Sequence, residues 1–277
     1  MRYLELYQQG REALMQAGID EASLDARLLL EFCCGTDHNT LLVHPELEIE
    51  AKQEIRYNEL IVKRRKHVPL QYLTGQQEFM GLSFLVNENV LIPRQDTEIL
   101  VEEVLREPFD GADILDMCTG SGCILLSLLH YSNECHGVGV DLSPLALEVA
   151  KKNAERLGIT QTHFVESDLF ERVEGKFDIL VSNPPYICSS VIPMLMTQVR
   201  DYEPIMALDG KEDGLFFYRR IIEEAKDYLR AGARLYFEIG YDQAEAVSGI
   251  LGAAGYEQIK VCKDYAGLDR VVSAVLV

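Results

Sequence analysis

Apolar positions in the first part of the chain recur at helical spacing. Leu4, Tyr7, Ala13 and Leu14 fall on one face, and a second run through Leu24, Leu28, Leu29 and Phe32 stops before Gly35. Asp20 is placed to cap that second helix. A third segment, 48–66, carries Ile49, Ile55, Leu60 and Ile61 among charged residues. Three helices joined by short breaks predict a small bundle over residues 1–75. Its composition suits a recognition module and a stabilising cap equally, and no residue cluster in it suggests catalysis.

After Pro69 the pattern changes. The runs 78–86 and 90–93, separated by Asn87-Glu88-Asn89, read as short strands broken by turns, a linking β-hairpin over residues 76–95. Asp96 or Thr97 then caps a helix through Glu98, Leu100, Val101, Val104 and Leu105. From Ala112 onward strands and helices alternate. Strands are expected at 113–117, 137–141, 162–166, 177–182, 234–239, 256–262 and 271–277, with helices at 143–157 and 214–229 among those between them. Alternation of this kind predicts an α/β domain over 96–277 with a mainly parallel, doubly wound sheet.

Composition narrows the classes. The chain has 277 residues, 48% of them hydrophobic, long enough for one large domain and a smaller one. No apolar run approaches the roughly 20 residues that span a bilayer, and the start Met1-Arg2-Tyr3-Leu4-Glu5 lacks the layout of a signal peptide. A soluble cytoplasmic protein without membrane partners is the expectation. Seven scattered cysteines without a CxxC pair, and six histidines without ligand spacing, predict free thiols and no metal. A net charge of −19 argues against direct nucleic-acid binding, which needs a basic footprint. The one dense basic run, Lys63-Arg64-Arg65-Lys66, suits a solvated helix end.

Candidate chemistry gathers at strand ends. The first strand of the alternating region runs into Cys118-Thr119-Gly120-Ser121-Gly122, whose glycines permit a tight turn and close approach to a ligand. Leu125 stands where a dinucleotide fingerprint needs its third glycine, and the loop has no P-loop lysine. The next strand ends in Asp141, an acid suited to the two hydroxyls of a ribose, of NAD or of S-adenosylmethionine; capping the helix that begins near Ser143-Pro144 is a compatible role. Asp168, after the third strand, is placed either to contact an adenine amino group or to sit in solvent.

The fourth strand runs into Asn183-Pro184-Pro185-Tyr186. This tetrapeptide answers a specific problem, making a planar, weakly nucleophilic nitrogen attack a methyl group. The Asn183 side-chain carbonyl and the Pro184 backbone carbonyl offer acceptors for the two N–H bonds of such a nitrogen. The prolines fix φ and carry no competing N–H, and Tyr186 adds a flat face for a planar group. A strand-ending turn is the plainer alternative for these residues.

These pieces together resemble the protein-glutamine N5-methyltransferases, specifically the release-factor glutamine methyltransferase family of the HemK/PrmC type. The likeness runs through Ile92-Pro93-Arg94 with Asp96-Thr97-Glu98, Asp116 to Gly122, Asp141, Asn183 to Ile187, Tyr202-Glu203-Pro204, Asp213-Gly214-Leu215, Glu238-Ile239-Gly240 with Gln243, and Lys263-Asp264 with Gly267 and Arg270. It implies a Rossmann-like class I methyltransferase fold, which a sheet of seven strands ending in a strand pair also suits. It implies S-adenosylmethionine as donor, S-adenosylhomocysteine as product, and the Gly-Gly-Gln loop of peptide-chain release factors as substrate. By position, Cys118, Thr119, Gly120, Ser121, Gly122, Asp141, Asp168, Leu169 and Asn183 would bind the cofactor. Asn183, Pro184, Pro185 and Tyr186 would hold the glutamine amide, with Asn183, Pro184 and Tyr186 as the catalytic group. The chain departs from the family pattern at Cys118 and Lys211, where glycines are usual, and at Leu169, where an aromatic is common.

Competing readings share parts of this signal. A ribosomal-protein glutamine methyltransferase would use the same pocket. An adenine-N6 DNA methyltransferase would use the same tetrapeptide but needs a basic surface. A dehydrogenase lacks support without the third glycine. A non-catalytic binding protein has little reason to keep Asn183 beside Asp141.

Overall fold

A computed structural model describes residues 1–277. The chain forms two compact units, one of residues 1–76 with 196–202 and one of residues 77–195 with 203–277.

The first unit holds helices α1 (Tyr3–Gln16), α2 (Ala22–Cys34), α3 (His38–Val43), α4 (Ala51–Arg64) and α5 (Leu70–Thr74), more than the three that periodicity marked. Tyr3, Leu6, Leu14, Leu29, Leu30 and Tyr57 are buried between them. Tyr57 reaches across to donate to the carbonyl of Ala26 at 3.2 Å. Glu21, not Asp20, occupies the N-cap position of α2 and makes no side-chain cap bond, so Asp20 does not have the capping role expected of it. The basic run is also not uniformly solvated. Arg64 turns inward and is 6% exposed; it pairs with the buried Asp25 at 2.7 Å and donates to the carbonyls of Val68 and Gln198. A guanidinium carries enough donors to be satisfied in this way, which a helix-end lysine could not match.

In the second unit, strands β1 (Gln76–Phe79) and β2 (Leu82–Leu85) form a hairpin whose Phe79 and Phe84 join the core. Residues 90–93 form no strand. The Ile92 N–H donates to the Glu203 carboxylate at 3.3 Å, a side-chain partner in place of a strand ladder. Helix α6 (Gln95–Leu105) starts from Arg94, whose carbonyl accepts from the Thr97 N–H. Asp96 and Thr97 therefore lie in the first turn and cap nothing, which frees the Thr97 hydroxyl.

The main sheet has seven strands: β3 (Asp113–Met117), β4 (His136–Asp141), β5 (Thr162–Glu166), β6 (Phe177–Ser182), β7 (Leu229–Glu238), β8 (Tyr256–Lys263) and β9 (Asp269–Leu276). Their order is β5-β4-β3-β6-β7-β9-β8, all parallel except β9, which runs against both neighbours. Helices α7 (Cys123–His130), α8 (Pro144–Leu157), α10 (Phe216–Glu224) and α11 (Ala244–Ala253) connect the strands, and the short α9 is Thr197–Arg200. The central strands read as unbroken apolar runs because they are covered on both faces, as Ile114, Leu115, Ile179, Leu180 and Val181 show by complete burial. β7 begins five residues before the expected 234, since Leu229 already pairs with Phe177 across an irregularity in register. α10 is correspondingly shorter than 214–229 and ends in a 3₁₀ turn. Sequence order reverses at β3, between β4 on one side and β6 on the other. Chain crossing in opposite directions there leaves a crevice above the strand ends.

Candidate active site

The crevice is a cleft open to solvent above the carboxyl ends of β3, β4 and β6. Its floor is the loop after β3. Cys118, Gly120 and Gly122 all take left-handed backbone, at φ +64°, +55° and +79°, so the chain turns sharply from strand into α7. The Thr119 N–H bonds to the Val140 carbonyl at 2.9 Å, and its hydroxyl donates to Asp116 at 2.5 Å. Complete burial pushes the Asp116 carboxyl up to about 7 against that bond, and one of its oxygens has no partner. Asn153, fully buried on α8, donates to the carbonyls of Ser121 and Leu85 and accepts from the Leu85 N–H. The floor is thus tied to the end of the hairpin.

Asp141 stands at the end of β4. One of its oxygens accepts from Gly120 and the other from Ser143, each at 2.9 Å. Burial raises its pKa while these N–H groups hold it down. Ser143, not Asp141, caps α8, accepting from the Ala146 N–H. Each Asp141 oxygen retains acceptor capacity beside the cleft. Asp168 also lines the wall, with one oxygen paired to Arg220 at 2.8 Å. Leu169 adopts φ +48° and is 5% exposed, so most of its side chain belongs to the core.

Asn183 emerges from β6, where Ser182 bonds to the Met117 carbonyl at 2.6 Å and locks the two strand ends together. The Asn183 amide nitrogen donates to the Thr97 hydroxyl at 3.3 Å. Pro185 lines the cleft with Asn183, while Pro184, Tyr186 and Gly122 are not among the lining residues. The Tyr186 hydroxyl donates to Glu238 at 3.3 Å, and its carbonyl accepts from Gln243 at 3.0 Å. Gln243 also donates to the Gly214 carbonyl and accepts from the Gly240 N–H, so one amide clamps three loops. Gly214, at φ +72°, sits so close that a Cβ there would meet the Tyr186 oxygen at 2.3 Å.

The structure therefore brings Cys118 to Ser121, Asp141, Asp168, Leu169, Asn183 and Pro185 around one space. The sequence reading passed over Thr97, Glu238 and Gln243 as functional groups. Glu238 ends β7 and carried the same signal as Asp141, an acid closing an apolar strand. Arg94 also lines the cleft and is ion-paired to the buried Glu203.

Comparison with known proteins places this geometry. Residues 5–75 match the PrmC N-terminal domain family, and residues 94–198 match the methyltransferase small domain family. The release factor glutamine methyltransferase of Clostridium acetobutylicum is 46% identical over 257 residues, 91% of this chain and 90% of that protein. The chain belongs to the release factor glutamine methyltransferase family. A second member, from Geobacter sulfurreducens, is 42% identical over 263 residues, 95% of this chain and 92% of that one. A crystal structure of a methyltransferase from Pyrococcus furiosus, only 16% identical, shares the fold, with a TM-score of 0.54 over 82% of this chain and 98% of its own.

Proposed function

We propose that this chain transfers a methyl group from S-adenosylmethionine to the side-chain amide nitrogen (N5) of the glutamine in the Gly-Gly-Gln motif of peptide-chain release factors. The observation that carries this reading is the placement of Asn183 on the wall of the same cleft as Asp141. The cleft fits the cofactor in chemistry. Asp141 offers an acceptor on each oxygen for a ribose diol, the loop 118–121 brings backbone close, and Leu169 with Phe217 supplies apolar wall. When bound, the cofactor supplies an electrophilic methyl carbon on a sulfonium.

The chain's own residues do the rest by alignment. A carboxamide nitrogen shares its lone pair with its carbonyl and attacks poorly. The Asn183 side-chain oxygen and the Pro184 carbonyl accept its two N–H bonds, return density to it and fix its direction. Positioning of this kind supplies about 7–11 kcal/mol in favourable cases. Attack needs no strong base, because the nitrogen becomes acidic only as the new bond forms, and one of its protons then leaves to water or a carbonyl acceptor. Residues 1–75 serve to recognise the release factor, and 76–95 to link that region to the methyltransferase domain of 96–277.

The test is transfer of tritium from labelled cofactor, offered release factor, DNA and ribosomal protein in parallel. Label in the release factor alone supports the reading. Label in ribosomal protein or DNA instead replaces it with one of the rival substrates.

A further inference from the structure

Asn183 can serve as an acceptor only if its amide is the right way round. An asparagine has an oxygen and an NH₂ of nearly equal size, and the flipped rotamer would aim two donors at the substrate's own N–H groups. Something must set the orientation, and the tetrapeptide itself does not. Thr97 does contact it: its hydroxyl, 2% exposed in the first turn of α6, receives the Asn183 N–H at 3.3 Å.

A hydroxyl has a single proton, so where that proton goes decides what Thr97 shows to Asn183. The Glu238 carboxylate, 2% exposed at the end of β7, lies near the Thr97 hydroxyl, and one of its oxygens is buried without a hydrogen-bond partner. Tyr186 donates to the same carboxylate from the tetrapeptide, and Arg270 faces it from β9. An ionised carboxylate only accepts. That unpartnered oxygen is an acceptor for the Thr97 proton, and a Thr97 hydroxyl turned to it presents a lone pair to Asn183. Only the NH₂ of Asn183 fits that lone pair, which leaves the side-chain oxygen for the cleft.

We propose that Thr97 and Glu238 are positioning residues that fix the direction of the Asn183 amide, so that its oxygen and not its nitrogen meets the glutamine being methylated. This rests on the function proposed above and adds to it two groups that act through Asn183, of which Thr97 also lines the cleft. Burial pushes the Glu238 carboxyl up to about 7; Thr97, Arg270 and Tyr186 hold it down, and Asp96 raises it. Protonated, Glu238 becomes a donor, the Thr97 proton is released toward Asn183, and the amide loses its preference.

The test compares turnover and cofactor binding of the full-length wild type with Thr97→Val, Thr97→Ser and Glu238→Gln, using release factor as acceptor. Thr97→Val keeps the shape and deletes the hydroxyl. It is expected to lower kcat about tenfold, the scale of one hydrogen bond in a transition state, with the cofactor Kd unchanged. Thr97→Ser, which restores the hydroxyl, should recover most of that loss. Glu238→Gln should lower kcat severalfold and remove the fall in kcat expected of the wild type as pH drops through about 7, and it decides the matter if Thr97→Val does not fold. Thr97→Val turning over within twofold of wild type, Thr97→Ser as slow as Thr97→Val, or Glu238→Gln keeping the acid limb would each overturn the proposal. A wild type that transfers no methyl to release factor removes the underlying reading instead, and the two failures cannot be confused.

Discussion

The carboxylate of Asp141 accepts the N–H of Gly120 at 2.9 Å, joining the end of β4 to the loop that follows β3. One side chain therefore shapes the floor of the cleft and faces whatever lies on it. Asp141→Ala removes two charge-assisted bonds to backbone as well as the acceptors for a ligand, each such bond being worth about 1.5–3 kcal/mol. Isothermal titration with S-adenosylmethionine should show a Kd weakened on the order of 100-fold or more, with Asp141→Asn between that variant and wild type. An unchanged Kd would place the cofactor elsewhere.

Tyr186 is held from behind by Gly214 and Gln243, and the space there admits no side chain. Gly214→Ala puts a Cβ against the Tyr186 oxygen at 2.3 Å, in a backbone region that already costs an L-residue about 1–2 kcal/mol. It should lower kcat tenfold or more, about 1.4 kcal/mol or above, along with Tm. Gly232→Ala is the control, with φ +81° and nothing within 4 Å, and should lower Tm while kcat stays. Equal kcat in both variants would show that the Tyr186 backbone tolerates displacement.

All three departures from the family pattern, Leu169 at φ +48° included, fall in left-handed backbone, and two of them stand where glycine is usual. Cys118 has φ +64° and Lys211 has φ +71°. The cysteine recovers part of that strain by packing against the core. The lysine gains only an exposed ion pair with Asp209 at 3.1 Å, a contact worth about 0–1 kcal/mol. Lys211→Gly should raise stability by about 0.5–1 kcal/mol in urea unfolding. A loss of stability would mean that the Asp209 pair outweighs the strain.

Stability should rise, not fall, as pH drops from about 8 toward about 5. Asp116 and Glu238 both titrate near 7 when folded because burial penalises their charge, whereas free carboxyls titrate near about 4. The folded state therefore binds these protons more tightly, and the cost of burying the charges is full above about 7 and relieved on acidification. Asp37, Asp209, Asp213 and Asp264 have lowered values, so their contribution is present above about 4 and lost only below it. Urea midpoints at pH 8, 7, 6 and 5 check the direction. Asp116→Asn should flatten the slope, and a wild-type midpoint that falls over this range would contradict the assignment.

The central strands 113–117 and 177–182 were legible because each is a largely apolar run closed by a polar or glycine-rich loop, and they stand in the structure as read, as does the edge strand 162–166. Less was legible wherever a partner distant in sequence decides the local state. Residues 90–93 have strand composition, yet Glu203 takes the Ile92 N–H. Arg64 reads as a solvated cation until Asp25, 39 positions away, neutralises it. The cleft followed the same division. Asp141 and Asn183 announce themselves at strand ends, while Thr97 reads as a helix cap and becomes interesting only once α6 starts at Arg94 and β6 delivers Asn183 to it.

Tandem mass spectrometry of a release factor, after incubation with S-adenosylmethionine and either wild type or Asn183→Ala, addresses the proposed chemistry at its reacting atom. One added methyl on the glutamine of Gly-Gly-Gln should appear with wild type, and on the order of 100-fold more slowly with Asn183→Ala, the cost of losing an acceptor that acts in the transition state. A methyl on any other residue, or the same rate from both proteins, would contradict it.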